Sequence, residues 1–349
     1  MIKAAIVGAA SLSAEILIRL LLDHPQVEIK HLVSETFTGK SIEAAHPHLK
    51  GLIDVPFSNF DPETIRADCD VAFLMKPHRS AMKYYPQIKS IKVIDISADF
   101  RIKDPAVYEK WYNAKHTCPD HIENAVYGLV EIRREEIRGA SLVANPGCYP
   151  TGVLLGVAPA VKAGLVNTKG IIIDAVTGAS GAGKAYKPTG KQLFVDVSQN
   201  LIPYSPARQH QHIPEIEQEI SLLGGGAPSL VSFTPYVGAF KVGILSTIYL
   251  ELKKKLTSAE IGELYSNYYK SCPFIRLFGE ELPQIADSAD TNFCAIGWRI
   301  IPEMKKLQVV SSIDNIIKGA GGQAIQNMNV MFGLDEAEGL PLSNLLKKK

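Results

Sequence analysis

A chain of 349 residues is longer than a single hydrophobic core usually serves, so two domains are expected, and a 46% apolar content is ample for both. Its 37 basic and 36 acidic residues nearly cancel, with no basic stripe interleaved with aromatics, which argues against nucleic acid and for a small polar ligand. Five scattered cysteines with no CxxC pair argue against a disulfide framework or a metal site, so a reducing cytoplasm is the expected compartment. The opening MIKAAIVGAAS reads as a strand rather than a signal peptide, and Arg19 interrupts the early apolar run, so no membrane span is expected.

In chain order, the apolar run Ile2 to Val7 leads through GAAS into LSAEILIRLLLDH, which has aliphatics at helical spacing, and on to a second strand, VEIKHLVS. That is a βαβ unit of the length used for dinucleotides, although only Gly8 of the usual three glycines is present, with Ser11 and Ala14 at the later positions. A ligand-free core unit and a nucleotide site are both compatible with this stretch. Where an adenosine ribose would lie, the acidic residue in Ser34-Glu35-Thr36 suits a free 2′-hydroxyl, whereas Ser34 and Lys40 suit a 2′-phosphate. CDVAFLM and KVIDIS are further strands, followed by ADFRIKDPAVYEKWY and ENAVYGLVEIRREEI.

Cys148 follows a short apolar strand, ASLVA, and the break Pro146-Gly147. The aliphatic VLLGVAPAV behind it reads as a buried helix with Pro150 in its first turn. A thiol at a helix start meets unpaired N–H groups and the positive end of the dipole, which favour thiolate. GASGAGK, Gly178 to Lys184, has P-loop spacing, but Ala185 stands where a hydroxyl should ligate magnesium and Pro188 breaks the following helix, so an NTPase is rejected. What remains suits a metal-free phosphate cradle of backbone N–H groups with Ser180 and Lys184, or an ordinary glycine loop. His212 and Glu215 open a helix whose apolar side is Ile216, Ile220 and Leu223, with His210 as a rival imidazole. LVSFTPYV and GILSTIYLELK are expected as antiparallel strands. They are followed by a helix from Ser258, a small-residue helix from Gly322 to Met331 and a solvated lysine-rich tail.

Taken in order, ANPGCYPTG, IDISADFR, AVYGLVEI, TGASGAGK, HQHIPEI and DNIIKGAGGQAIQNMNVMFG resemble the N-acetyl-γ-glutamyl-phosphate reductase family, relatives of aspartate-semialdehyde dehydrogenase, nearly end to end. The resemblance implies an α/β chain. Its Rossmann-type doubly wound nucleotide domain would span residues 1–146, completed by a C-terminal segment at 320–349. An α+β catalytic and oligomerisation domain with a mixed sheet would span 147–319. It implies NADPH-dependent reduction of N-acetylglutamyl 5-phosphate to the 5-semialdehyde, NAD not being excluded, in a cytoplasmic homo-oligomer without metal.

Within it Cys148 is implied as nucleophile, His212 as general base and then acid, Glu215 as orienter, and Asn145 with the Cys148 N–H as oxyanion donors. Gly8, Ser11 and Ser34 would contact the cofactor, Gln323 and Asn327 the nicotinamide region, and Ser180, Gly181 and Lys184 the phosphate. The chain departs from the family pattern at Ser11 and Ala14, usually glycines, and at Gln211, Val242 and Lys184, usually arginines. Lost bidentate arginines leave open the same reaction on an aminoadipyl homologue, or a non-catalytic nucleotide-binding relative. A Cys-His hydrolase is disfavoured, because it needs no βαβ half.

Overall fold

A computed structural model describes residues 1–181 and 198–341. The chain divides into two units, the first being Met1–Gly147 with Ala320–Leu340 and the second built on Cys148–Gly319.

In the first unit, β1 (Ile2–Val7), β2 (Val27–Val33), β3 (Phe57–Ser58), β4 (Val71–Leu74), β5 (Lys92–Asp95), β6 (Ala125–Tyr127) and β7 (Leu142–Ala144) form one sheet in the order β3-β2-β1-β4-β5-β7-β6. Every pairing is parallel. Parallel strands are buried on both faces, which is why β4 reads VAFL with all four residues buried and no alternation. The helices α1 (Leu12–Leu22), α2 (Pro62–Asp68), α3 (Ala81–Ile88), α4 (Pro105–Tyr112) and α5 (Val130–Arg138) cover it. Strand order reverses between β1 and β4, and open α/β sheets take ligands outside the carboxyl ends at such a point.

The second unit opens with α6 (Cys148–Lys162), buried from Tyr149 through Val161. Its small residues let it lie flat on the second sheet, since a Cβ on Gly156 would come within 3.4 Å of Ile248 and Val309. Pro159 cannot donate to the Leu155 carbonyl one turn back, and the Tyr269 hydroxyl donates to that carbonyl instead. The sheet comprises β8 (Lys169–Thr177), β9 (Ile202–Pro203), β10 (Leu230–Val237), β11 (Ile244–Glu251), β12 (Ile275–Gly279), β13 (Cys294–Ile301) and β14 (Lys306–Ile313), in the order β12-β13-β14-β11-β8-β10-β9. It is mixed: β8 runs parallel to β10 and antiparallel to β11.

The expected antiparallel partnership of LVSFTPYV and GILSTIYLELK therefore holds in direction but not in pairing, because β8 lies between them. The connection from β10 to β11 crosses the end of β8 so closely that a Cβ on Gly178 would sit 2.7 Å from the Lys241 backbone. Two further helices, α7 (Ile213–Leu223) and α8 (Ser258–Tyr269), belong to this unit, and α8 starts with a capping box between Thr257 and Glu260.

The C-terminal helix α9 (Gly322–Met331) returns to the first unit and packs on α1 and α5 with all ten residues buried. Its amides are ties: Asn329 Oδ1 lies 3.0 Å from His24 Nε2, and Gln326 donates to Glu131 and Glu336. No helix among the described residues is long and apolar enough to cross a membrane.

Candidate active site

Cys148 is the first residue of α6 and half-buried, whereas Cys69, Cys118, Cys272 and Cys294 are buried. A turn of π-helix, Ile317–Gly321, passes against it. Only a glycine fits at 319, since a Cβ there would lie 2.8 Å from Cys148 Cβ. That turn is anchored by Asp314, whose carboxylate accepts from the N–H groups of Asp290, Ile316 and Ile317, and whose carbonyl accepts from Gly319. Burial pushes the Asp314 carboxyl above the usual carboxylate range.

Beside the nucleophile stands an aromatic cluster. The Tyr149 ring meets His210 at 5.6 Å, His212 at 6.0 Å and Phe233 at 5.1 Å, and its hydroxyl accepts from Tyr204 at 2.8 Å. His212 is the N-cap residue of α7, with Glu215, fully buried, in the first turn. His210 Nδ1 accepts the His212 N–H at 3.2 Å, and burial pushes the His210 imidazole down to about 4, so it is neutral near pH 7. His210 thus serves the fold around His212 as an acceptor among rings.

Of the glycine loop, Ser180 and Gly181 lie within the described residues and Lys184 lies outside them. Asn315 ties the loop down: its Nδ2 donates to Ser180 Oγ at 3.1 Å, and its Oδ1 accepts from Gly243 N at 2.7 Å. Glycine is required at 181, where a Cβ would overlap Thr177 Oγ1. Gln211 is half-buried, and the Lys241 carbonyl accepts the Ser180 N–H at 3.1 Å.

In the first unit, Gly8 follows β1 at φ +94, with its missing Cβ 2.5 Å from the Met75 carbonyl, so glycine is obligatory there. Ser11, one of the departures, needs no positive φ: at φ −80 and ψ 155 it is the N-cap of α1, its Oγ accepting from Ala14 N at 3.3 Å. Ser34 is buried, and its N–H donates to the Ser58 carbonyl.

Two of the expected site residues are also held in the packing of the first unit. Asn327 spends both N–H donors on the Gly128 carbonyl (2.8 Å) and Asn145 Oδ1 (3.0 Å). Asn145 is fully buried and donates to the Ala320 carbonyl at 3.2 Å. Both brace the first unit, and Asn327 keeps its Oδ1 without a donor among the described residues. Gln323 differs: it is buried with neither amide atom partnered among the described residues. A nicotinamide carboxamide has an NH2 donor group and a carbonyl acceptor, the two kinds of partner that side chain lacks. With the obligatory Gly8 and the start of α1 just beyond β1, these residues fit a bound dinucleotide.

The chemistry-based reading of the sequence missed the part played by IDISADFR. Asp99 accepts from Arg79 N, Met82 N and Tyr108 Oη, while Arg101 Nε donates to the Asn145 carbonyl at 2.7 Å, fixing the turn three residues before Cys148. Burial and the neighbouring Asp99 hold the Asp95 carboxyl well above its ordinary range. The available signal was the presence of charged residues in an otherwise buried stretch.

Comparison with known proteins agrees with this geometry. Residues 3–140 match the family described as "Semialdehyde dehydrogenase, NAD binding domain", and 148–315 match "Semialdehyde dehydrogenase, dimerisation domain". N-acetyl-γ-glutamyl-phosphate reductase from Halothermothrix orenii is 43% identical over 343 residues, covering 97% of this chain and 98% of that protein. The protein of the same name from Methanocaldococcus jannaschii is 43% identical, covering 97% of each chain. Among solved structures, aspartate semialdehyde dehydrogenase II from Vibrio cholerae in complex with ASA shares the fold, with a TM-score of 0.72 at 19% identity over 95% of this chain and 98% of that one. The enzyme from Candida albicans with NADP has a TM-score of 0.67 at 16% identity, over 95% and 98% of the two chains. A half-buried cysteine at a helix start, a nucleotide-type parallel sheet and near-full-length identity above 40% lead to one conclusion: the chain belongs to the N-acetyl-γ-glutamyl-phosphate reductase family of semialdehyde dehydrogenases.

Proposed function

We propose that this oxidoreductase converts N-acetyl-L-glutamyl 5-phosphate to N-acetyl-L-glutamate 5-semialdehyde and inorganic phosphate, a step of arginine biosynthesis. The observation that carries the mechanism is the placement of Cys148, half-buried in the first turn of α6 with Gly319 keeping the space beside it. The Cys148 thiolate attacks the acyl carbon, the carbon–oxygen bond to phosphate breaks, and a thioester remains on Sγ. Bound NADPH supplies the hydride that reduces this thioester. The hemithioacetal then collapses, expelling Sγ as thiolate and releasing the aldehyde.

His212 takes the thiol proton at the start and returns it to the freed Sγ thiolate after collapse, restoring the thiol, with Glu215 holding its end of α7 in place. The Cys148 N–H faces the oxyanion. Ser180 and Gly181, with Lys184 of the same loop, receive the departing phosphate, and Gln323 orients the carboxamide of the nucleotide. Residues 1–146 with 320–340 form the nucleotide-binding domain and 147–319 the catalytic and assembly domain of a cytoplasmic homo-oligomer; the expected continuation of the first domain over 342–349, with its lysine-rich tail, lies outside the described residues. The names of the relatives favour the glutamyl substrate over an aminoadipyl homologue.

The test is phosphate-dependent reduction of NADP⁺ by the purified protein with N-acetylglutamate 5-semialdehyde. Turnover that needs inorganic phosphate is expected. A folded protein that turns over without phosphate, or not at all, overturns the proposal.

A further inference from the structure

Glu35 stands just beyond β2, where an acidic residue ordinarily accepts the free 2′-hydroxyl of NAD and repels the extra phosphate of NADP. In this protein the carboxylate is already engaged. Lys76, two residues beyond β4, reaches across the switch point and places Nζ 3.1 and 3.2 Å from the two Glu35 oxygens, while the Tyr84 hydroxyl donates to Oε1 at 2.8 Å. The lysine stem runs over Gly8, where an added Cβ would come 3.1 Å from Lys76 Cδ. Its ammonium lies 4.8 Å from the Tyr84 ring centroid, and Tyr84 is held edge-on by Phe60, also at 4.8 Å.

The Lys76 side chain is 14% exposed against 57% for Glu35, so the cation is set in the wall of the crevice and the anion projects from it. An ion pair this open contributes little to stability. Its position is the informative part, since it cancels a charge that would oppose a phosphorylated ribose. Hydrogen bonds from Tyr84 and then Lys76 keep the Glu35 carboxyl below its ordinary value, so without Lys76 a full negative charge faces the ligand. The other candidates at this edge are less well placed: Ser34 is buried, and Lys40 lies 5.7 Å from the Phe37 ring.

We propose that Lys76 is the specificity-determining residue for NADPH over NADH, neutralising Glu35 in the free protein and passing its ammonium to the 2′-phosphate when the nucleotide binds, while Tyr84 stays on Glu35. The inference rests on the reading of this unit as a dinucleotide site.

It is tested by direct binding, following nucleotide fluorescence as NADPH and NADH are titrated into the intact protein. Lys76→Met is expected to weaken NADPH roughly ten- to a hundredfold, the range for a lost charge-assisted bond to phosphate, and to leave NADH binding nearly unchanged. Lys76→Arg should keep the preference, and Glu35→Gln added to Lys76→Met should recover part of the NADPH affinity by removing the exposed charge. Equal losses for both nucleotides, or an unchanged preference in a Lys76→Met protein of wild-type thermal stability, overturn the proposal. Failure of the wild-type protein to bind either nucleotide overturns the dinucleotide reading itself, and this inference with it.

Discussion

The two seven-stranded sheets solve different problems with the same number of strands. In the first, strands of two to seven residues are all parallel, and their carboxyl ends line up on one edge, so Gly8, Glu35 and Lys76 come together from three separate segments. In the second, all seven lie in one mixed sheet; six of them are longer, five to nine residues each, with alternating burial in β8, β10 and β11, and β9 is a two-residue edge. One face of that sheet is a bed for α6, and the useful group is at the helix start rather than along a strand edge. A parallel sheet offers an edge that a ligand can lie along, whereas a mixed sheet under a buried helix offers one rigid point. Nucleotide binding and the proposed covalent chemistry need those two things respectively.

The sharpest way to break this comparison is to remove the point and leave the edge. Cys148→Ala is expected to lower turnover roughly 10⁴-fold or more while NADPH binds as before, checked by phosphate-dependent kinetics beside a fluorescence titration. Retained turnover would dissociate the chemistry from α6. His212→Asn is expected to cost roughly 10²- to 10⁴-fold in kcat, as lost general acid–base catalysis does. His210→Asn keeps an acceptor for the His212 N–H and should lower kcat far less. If the two results are reversed, the neutral, buried His210 is the proton carrier and the assignment fails.

How much of this was legible beforehand differs between the units in the same way. Parallel βαβ units are made of neighbours in sequence, so period and turn chemistry expose them: β1, α1 and β2 can be read directly from MIKAAIVGAAS onward, and the helix at Gly322 to Met331 from its small residues. The position of β8 between β10 and β11 could not be read that way, since a short connection ordinarily signals a hairpin and the intruding strand comes some fifty residues earlier. The helix starts at Cys148 and His212 were legible because such starts have marked local chemistry. Lys76 was not: alone in the run MKPHRS it is an ordinary charged residue, and its meaning comes from reaching Glu35, 41 residues away.

The units also diverge in their response to acid. Burial pushes His210 in the second and His78 in the first down to about 4, from an ordinary value of 6.5. The unfolded chain takes up protons that these folded imidazoles refuse, so stability is lost as pH falls from about 6.5 through 4. Asp95 in the first unit acts in the opposite sense: its raised carboxyl keeps a proton that the unfolded chain releases, so its contribution falls as pH rises above the ordinary 3.8. His210→Asn should therefore remove on the order of 2–3 kcal/mol of acid sensitivity, read as the change in urea midpoint between pH 7 and pH 4.5. Asp95→Asn should leave a protein that loses more stability on acidification than the wild type does. An unchanged pH slope in either variant would mean that the group is solvated in the folded state.

The smallest effect is expected at Ser11, where the chain departs from the family's glycine. Ser11 caps α1 from an extended conformation that glycine also adopts, so Ser11→Gly loses only the Oγ bond to Ala14 N, a few tenths of a kcal/mol. Because the position has a negative φ, restoring glycine relieves no strain. NADPH affinity should therefore stay close to wild type, in contrast to Lys76→Met at the same edge. A large gain in affinity on Ser11→Gly would mean that the Ser11 side chain, rather than the Glu35 and Lys76 pair, limits how closely the nucleotide approaches the start of α1, and the edge would have to be reread around that hydroxyl.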